Sequence, residues 1–222
     1  MVFRPMPSRR PSPTAAAREL AARDAVLARV IDQVGPPRIR PPQRTPFEAL
    51  TRAITFQQLS GKAAATIYGR FLALYGDGDG QGDGQLEPEA VLATPIEGLR
   101  RTGLSAAKAA SIHDLAAKVV DGTVPLDRVS RVPDEELIER LLVVRGIGRW
   151  TAEMFLIFQL RRLDVWPVDD LGVRKGYART YGIPDKDAPA PKELVALGDP
   201  FRPYRSIAAW YFWRALDVTL PG

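Results

Sequence analysis

The segment from Leu141 to Phe158, LLVVRGIGRWTAEMFLIF, holds the residues whose types and spacing best suit the binding of a phosphate group. Gly146 and Gly148 allow a tight reversal between two helices, and Ile147 between them can fill the helix–helix interface. The second helix then begins with backbone N–H groups that, with the helix dipole, attract a phosphate. Such contacts hold DNA in register without reading its sequence. The expected phosphate-binding residues are Arg145, Gly146, Gly148, Arg149 and Thr151.

Composition excludes several kinds of catalytic and metal site. The 222 residues include no cysteine and one histidine, His113, which stands in a helical run and suits a structural role. Disulfides, thiolate zinc sites, iron–sulfur clusters and a cysteine nucleophile are excluded, and a catalytic triad is hard to build. An enzyme of this composition must work with carboxylates, aromatic side chains and backbone dipoles. A net charge of +5 is a mild indication of a polyanionic partner.

The elements that position these residues are helical almost throughout. Apolar residues recur at three- and four-residue spacing, and no alternating run predicts a strand. This spacing predicts an all-α fold. The expected parts are a flexible basic tail over 1–14 and a core over 15–222. Helices are expected over 15–34, 47–74 with an interruption near Ser60, 88–92, 95–101, 105–120, 134–143, 149–160, 170–181, 192–197 and 204–216.

The segment 76–88, GDGDGQGDGQLEP, is of low complexity. Asp77, Asp79 and Asp83 imitate the start of a calcium-binding loop, but Pro88 stands where the bidentate glutamate is needed. We interpret the segment as a flexible acidic connector.

Four motifs, in their order and spacing, carry a resemblance to a known family. They are QQLS at 57–60, the hairpin RGIGRWTA, VWPVDDLGVR at 165–174 and RPYRS at 202–206. The chain from about Pro46 to Leu216 resembles the helix-hairpin-helix (HhH-GPD) DNA glycosylase superfamily, and within it the 3-methyladenine DNA glycosylase II branch. The resemblance implies two helical lobes with a basic, DNA-binding cleft between them, one over about 46–165 and a second that combines a helix over 15–34 with 166–222. Well-known relatives carry an extra mixed α/β domain ahead of the helical core. The segment before the core is too short here for that domain, so we expect a more open site.

The resemblance implies that Asp170 is the catalytic carboxylate. When a base leaves with the electrons of its glycosidic bond, positive charge develops on the sugar, and a fixed carboxylate stabilises that charge. One carboxylate suffices when the leaving base is already cationic, as 3-methyladenine and 7-methylguanine are. Asp170 also stands where a helix should begin, so a plain N-cap is the alternative, and Asp169 could fill either role.

The resemblance also implies a pocket for the extruded base. Aromatic walls suit a flat base, and a cationic base gains cation–π attraction from them. Trp150 and Trp213 match pocket positions of the family, Tyr211 is a weaker candidate, and Met154 stands where a relative has an aromatic residue. Packing in the core is the alternative for each aromatic residue, and for Trp213 above all.

A wedge residue is implied by the same resemblance. Leu59, after Gln58, matches the position of the apolar side chain that fills the gap left by the extruded base. The alternative is an ordinary buried leucine.

Two further expectations concern chemistry and ions. Superfamily members that also cleave the DNA backbone carry a lysine two positions after the second hairpin glycine. Trp150 stands at that position, so the chain should be monofunctional and need no cofactor. Some family hairpins hold a structural monovalent cation, and the matching backbone carbonyls belong to Leu142, Val144 and Ile147.

The sequence thus predicts a monomeric, monofunctional DNA glycosylase that removes alkylated bases from double-stranded DNA. Without a run of about 18 apolar residues or an apolar leader, we expect no membrane association and a cytoplasmic, nucleoid-associated protein. Three alternatives stay open: a glycosylase for uracil, hypoxanthine or an etheno adduct, a non-catalytic helix-hairpin-helix DNA-binding module, and a helical scaffold for protein interactions.

Overall fold

The computed structural model describes residues 11–76 and 86–218. Over these ranges the chain forms α-helices and no strand, so the all-α prediction is confirmed. The helices are α1 (Pro13–Arg23), α2 (Ala25–Val34), α3 (Pro46–Phe56), α4 (Gly61–Ala73), α5 (Pro88–Ala93), α6 (Ile96–Arg101), α7 (Ala106–Val120), α8 (Asp134–Leu142), α9 (Arg149–Met154), α10 (Leu171–Thr180), α11 (Pro191–Leu197) and α12 (Arg205–Ala215). Most of the acidic segment and residues 1–10 of the tail lie outside the described residues.

The single helix expected over 15–34 is two helices, and the first begins earlier than expected. The Ser12 hydroxyl accepts the N–H of Ala15 and caps α1, so the end of the segment predicted as a flexible tail is ordered. Asp24 separates the two helices. Its N–H donates to the carbonyl of Leu20 and ends α1, while its carboxylate accepts the N–H groups of the first turn of α2.

The helix predicted over 47–74 is interrupted close to the expected position. Thr45 and Glu48 form a capping box at the start of α3, and Ser60 caps α4. The helix predicted over 149–160 also has two parts. After α9, a π-helical turn over Phe155–Gln159 ends with the N–H of Leu160 donating to the carbonyl of Phe155 at 3.1 Å.

The chain divides into two compact units, one of Met1–Arg40 with Arg162–Gly222 and one of Pro41–Arg161. The core of the first unit contains side chains of α1, α2, α10 and α12. Helices α10 and α12 approach each other closely at Gly176 of α10, where an added Cβ would lie 1.9 Å from the carbonyl oxygen of Phe212 in α12. Only glycine allows these two helices to pack so closely.

The second unit carries the hairpin. Its helix α7 packs against α3, α5 and α6, and α8 packs against α9. Ile112 and Leu115 of α7 and Leu137 and Leu141 of α8 are fully buried, so the helix before the hairpin is anchored by its apolar face. Among the described helices, none has the length and apolar character that a membrane span requires.

Candidate active site

The hairpin between α8 and α9 has the glycine geometry that its sequence predicts. Gly146 has a φ of 78°, in the left-handed region, and an added Cβ would lie 2.6 Å from the Oγ of Ser111. Both its backbone and its surroundings therefore require glycine. Ile147 is buried, as expected of a residue that fills the interface, and Gly148 is the N-cap of α9.

Helix α7 supports the hairpin through the partly buried carboxylate of Asp114. The backbone N–H of Arg145 donates to Oδ2 of Asp114 at 2.8 Å, and Lys118 forms an ion pair with the same carboxylate. Partial burial by itself would raise the pKa of Asp114, but the hydrogen bonds and charges of Lys118 and Arg145 hold it below its ordinary value. Asp114 was not predicted as a site residue, because its partner in the hairpin is 31 residues away.

Arg149 is engaged by two carboxylates of its own unit. Its two terminal nitrogens bind the carboxylate of Glu135 at 2.9 and 3.0 Å, and its Nε donates to Glu153 at 3.1 Å. The hydrogen bond with Glu135 raises the pKa of Arg149 above its ordinary value. Both arginines are exposed, but a phosphate at Arg149 would compete with these carboxylate partners. Thr151 is buried, so its part in phosphate binding would rest on its backbone N–H.

Trp150 and Met154 share one face of the helix that follows the hairpin. They are four residues apart in α9, one helical turn. Trp150 is 48 % exposed and Met154 is half-buried, so an aromatic surface is available to a ligand there.

The loop at 57–60, called here the Leu59 loop, leads from α3 to α4. Gln58 has a φ of 54°, which is unusual for a residue with a side chain. Leu59 is 40 % exposed, so it is not an ordinary buried leucine. Nζ of Lys108 donates to the carbonyls of Thr55 and Gln57 at 2.8 and 2.7 Å, and its burial lowers its pKa.

Asp170 caps helix α10 in the first unit. Its Oδ1 accepts the N–H of Val173 at 2.8 Å and the indole N–H of Trp213, also at 2.8 Å. Asp170 is 8 % exposed, whereas Asp169 is exposed and does not cap the helix. Asp170 thus has both the N-cap geometry and a second donor that a cap does not need.

The two aromatic candidates of α12 differ in their surroundings. Trp213 reaches Asp170, so it is not simply a core residue. Tyr211 is fully buried and its hydroxyl donates to the carbonyl of Gly35 at 2.9 Å, and burial raises its pKa to about 12. Tyr211 therefore belongs to the core and offers no surface to a base, which corrects its assignment to the pocket.

The carbonyls expected to hold a monovalent cation lie at the end of α8 and in the turn of the hairpin. The carbonyl of Val144 accepts the N–H of Ile147 at 3.1 Å, and Leu142 is exposed at the end of α8. Neutral carbonyl oxygens suit a weakly hydrated monovalent ion, and this site stays a prediction. Over residues 11–76 and 86–218, no group of three or more His, Cys, Asp or Glu side chains could hold a metal ion.

Comparison with known proteins gives one consistent family. Residues 51–200 match the profile of the HhH-GPD superfamily base excision DNA repair protein. The chain is 38 % identical to DNA-3-methyladenine glycosylase 1 of Schizosaccharomyces pombe over 81 % of this chain and 77 % of that protein. It is 34 % identical to the alkylbase DNA glycosidase-like protein mag2 of the same organism, over 90 % of this chain and 92 % of that protein.

Solved structures give the same result. The 3-methyladenine DNA glycosylase of Schizosaccharomyces pombe in complex with abasic DNA superposes with a TM-score of 0.75 at 35 % identity, over 93 % of this chain and 98 % of that chain. The DNA-3-methyladenine glycosidase of Bacillus halodurans superposes with a TM-score of 0.79 at 34 % identity, over 92 % and 89 % of the two chains.

Proposed function

The chain belongs to the HhH-GPD superfamily of base excision DNA repair proteins, and on that basis we propose that it is a monofunctional DNA glycosylase for alkylated bases in duplex DNA. The observation that carries the proposal is the carboxylate of Asp170, which is held by two N–H donors at the start of α10. The names of the relatives point to 3-methyladenine, and the same chemistry suits 7-methylguanine.

The proposed reaction is hydrolysis of the bond between the sugar C1′ and the base nitrogen. The bond breaks with its electron pair on the base, and the alkylated base leaves as a neutral molecule because it was cationic. The sugar gains positive charge, which the carboxylate of Asp170 stabilises. Water then adds to C1′ and loses a proton, and the product is an abasic site. No general acid or cofactor is needed.

Recognition of the base is assigned to α9. Trp150 presents a half-exposed indole, with Met154 one turn away on the same face. An electron-rich ring attracts a cationic base more than a neutral one, which favours alkylated bases over normal ones. Trp150 also replaces the lysine that a lyase would need, so the abasic site is the final product.

Binding of DNA is assigned to the hairpin and the Leu59 loop. The hairpin offers backbone N–H groups and the exposed Arg145 to a phosphate. Leu59 fills the gap that the extruded base leaves, at a cost of a few kcal/mol in unstacking that binding offsets. The partner is duplex DNA with a damaged base, bound by a monomer. A monovalent cation at the hairpin carbonyls would stiffen the turn.

The test is single-turnover release of bases from methylated duplex DNA. Wild type should free 3-methyladenine or 7-methylguanine, and Asp170→Asn should slow release about 10²- to 10³-fold. Asp169→Asn is the matched control and should release bases at the wild-type rate, because Asp169 is exposed and caps nothing.

A wild-type protein that binds duplex DNA and releases no base would instead be a binding module. Release of uracil, hypoxanthine or an etheno adduct in place of methylated bases would support a glycosylase activity and overturn the proposed substrate.

A further inference from the structure

Gly172, the second residue of α10, lies against the side chains of Asp170 and Trp213. An added Cβ would be 2.8 Å from Cδ1 of Trp213, 3.0 Å from Oδ1 of Asp170 and 3.1 Å from Nε1 of Trp213. The 2.8 Å approach is shorter than real Cβ atoms show, so a side chain here would have to move the indole. Gly172 does not have a left-handed backbone, so its conformation alone does not require glycine.

The neighbours of Gly172 distinguish it from a glycine used for helix packing. Gly176, one turn later, meets the backbone of Phe212, as expected where two helices cross closely. Gly172 meets two side chains instead, and these are the donor and the acceptor of one hydrogen bond. A Cβ would therefore displace the donor nitrogen or the acceptor oxygen of the hydrogen bond that holds the carboxylate.

The hydrogen bond from Trp213 restricts the orientation of the Asp170 carboxylate. The N–H of Val173 and the indole N–H both bind Oδ1 at 2.8 Å. One donor is enough for an N-cap, and the second, from a different helix, restricts rotation of the carboxylate. A carboxylate that is already oriented stabilises a developing charge without reorganising during the reaction.

We propose that Gly172 and Trp213 are positioning residues for the catalytic carboxylate. The missing side chain at Gly172 admits the indole of Trp213, and Trp213 acts on the reaction through its hydrogen bond to Asp170. This inference rests on the proposed function, since it assigns the orientation of Asp170 to two further residues.

Gly172→Ala is the direct test. If Gly172 served packing alone, the collision of the new Cβ with the indole would lower stability and leave the release rate of the folded protein unchanged. We expect instead that single-turnover base release falls about ten- to hundredfold, the value of one hydrogen bond to a charged group. Affinity for undamaged duplex DNA should not change. Gly69→Ala is the matched control, because Gly69 is an exposed helical glycine with open space at its Cβ, and its release rate should equal that of wild type.

A double-mutant cycle tests whether the effect acts through Trp213. Trp213→Phe removes the five-membered ring that carries Cδ1 and Nε1, and should slow release to a similar degree. In that background Gly172→Ala should add little, because the hydrogen bond is already lost. Full additivity of the two losses would overturn the proposal.

An NMR measurement separates this inference from the proposed function. The indole N–H signal of Trp213, assigned by its loss in Trp213→Phe, should shift in Gly172→Ala and in Asp170→Asn but not in Gly69→Ala. If the signal shifts and base release by wild type and Gly172→Ala is equal, the positioning role is wrong. If wild type releases no base while the signal behaves as expected, the hydrogen bond between Trp213 and Asp170 is present but the proposed function is wrong. The bond then has no role in catalysis.

Discussion

The side-chain amide of Gln57 donates a hydrogen bond to the carbonyl oxygen of Gly146 at 3.0 Å. This bond joins the Leu59 loop to the turn of the hairpin, although the two residues are 89 positions apart. Lys108 holds the same loop from α7 through the carbonyls of Thr55 and Gln57. The residue proposed to enter the DNA and the turn proposed to bind its phosphates are thus connected within one unit.

Lys108→Met should weaken this connection. The substitution keeps an apolar stem of similar length and removes the charged donor from two carbonyls at the end of α3. The loss of these hydrogen bonds should lower the free energy of unfolding by about 1–3 kcal/mol. We expect slower base extrusion, measured with a fluorescent base analogue opposite the lesion, and about tenfold slower release from paired lesions. Lys62→Met, at an exposed lysine of α4, is the control. Equal rates for both variants would contradict the bracing role of Lys108.

Leu59→Ala should affect activity without affecting stability. Leu59 is 40 % exposed, so its truncation removes little core packing, and the free energy of unfolding should change by less than about 0.5 kcal/mol. Release from duplex DNA should fall about tenfold, because the extruded state loses the side chain that fills the gap. Leu74→Ala, at another exposed leucine, should leave release unchanged. A loss of stability in Leu59→Ala would show a core role instead.

Gly146→Ala should damage the hairpin for two separable reasons. A φ of 78° costs about 1 kcal/mol or more in alanine, and the new Cβ would collide with Ser111. Adding Ser111→Ala to Gly146→Ala should relieve the collision and leave only the free-energy cost of the positive φ. Gly148→Ala, where nothing lies within 4 Å of the new Cβ, should be much less destabilising. Urea unfolding of these three variants and of wild type measures both contributions, and equal stability of Gly146→Ala and Gly148→Ala would refute this account.

Arg145 and Arg149 should differ in their effects on DNA binding. Arg145→Gln should lower affinity and reduce the slope of log affinity against log salt by about one, as expected for one lost phosphate contact. Arg149 is already neutralised by Glu135 and Glu153, so Arg149→Gln should change the slope less and lower stability more. Salt titrations of duplex binding and thermal unfolding compare the two variants. A larger slope change in Arg149→Gln would mean that DNA displaces its carboxylate partners.

The hairpin should lose support from Asp114 in acid. Because the pKa of Asp114 is lowered in the folded protein, its contribution to stability is present above the ordinary value of 3.8 and is lost as the pH falls through the lower folded value. Asp114→Asn should therefore cost stability at pH 7, and the difference from wild type should shrink below about pH 4. Denaturant unfolding over pH 2–7 measures this, with the exposed Asp127→Asn as control. A difference that does not depend on pH would assign Asp114 a role without charge.

Local features of the chain were predictable from sequence. The helices follow from apolar spacing, and the hairpin follows from the two glycines and Ile147, because these patterns act over a few residues. The cap by Asp170 is equally local, since it binds a backbone N–H three residues ahead. The exposure of Leu59 and the burial of Tyr211 were not decided by such patterns, because exposure depends on what packs over a residue.

What the sequence determined by itself is therefore the helical fold, the hairpin, the family and the carboxylate at the start of α10. Tertiary structure alone decided the long-range hydrogen bonds that hold these features. Trp213 binds Asp170 from 43 positions away, and Lys108 binds Gln57 from 51 positions away. The physical reason is range. A helix or a cap is set by neighbours along the chain, whereas a hydrogen bond between distant side chains exists only after packing has brought their helices together.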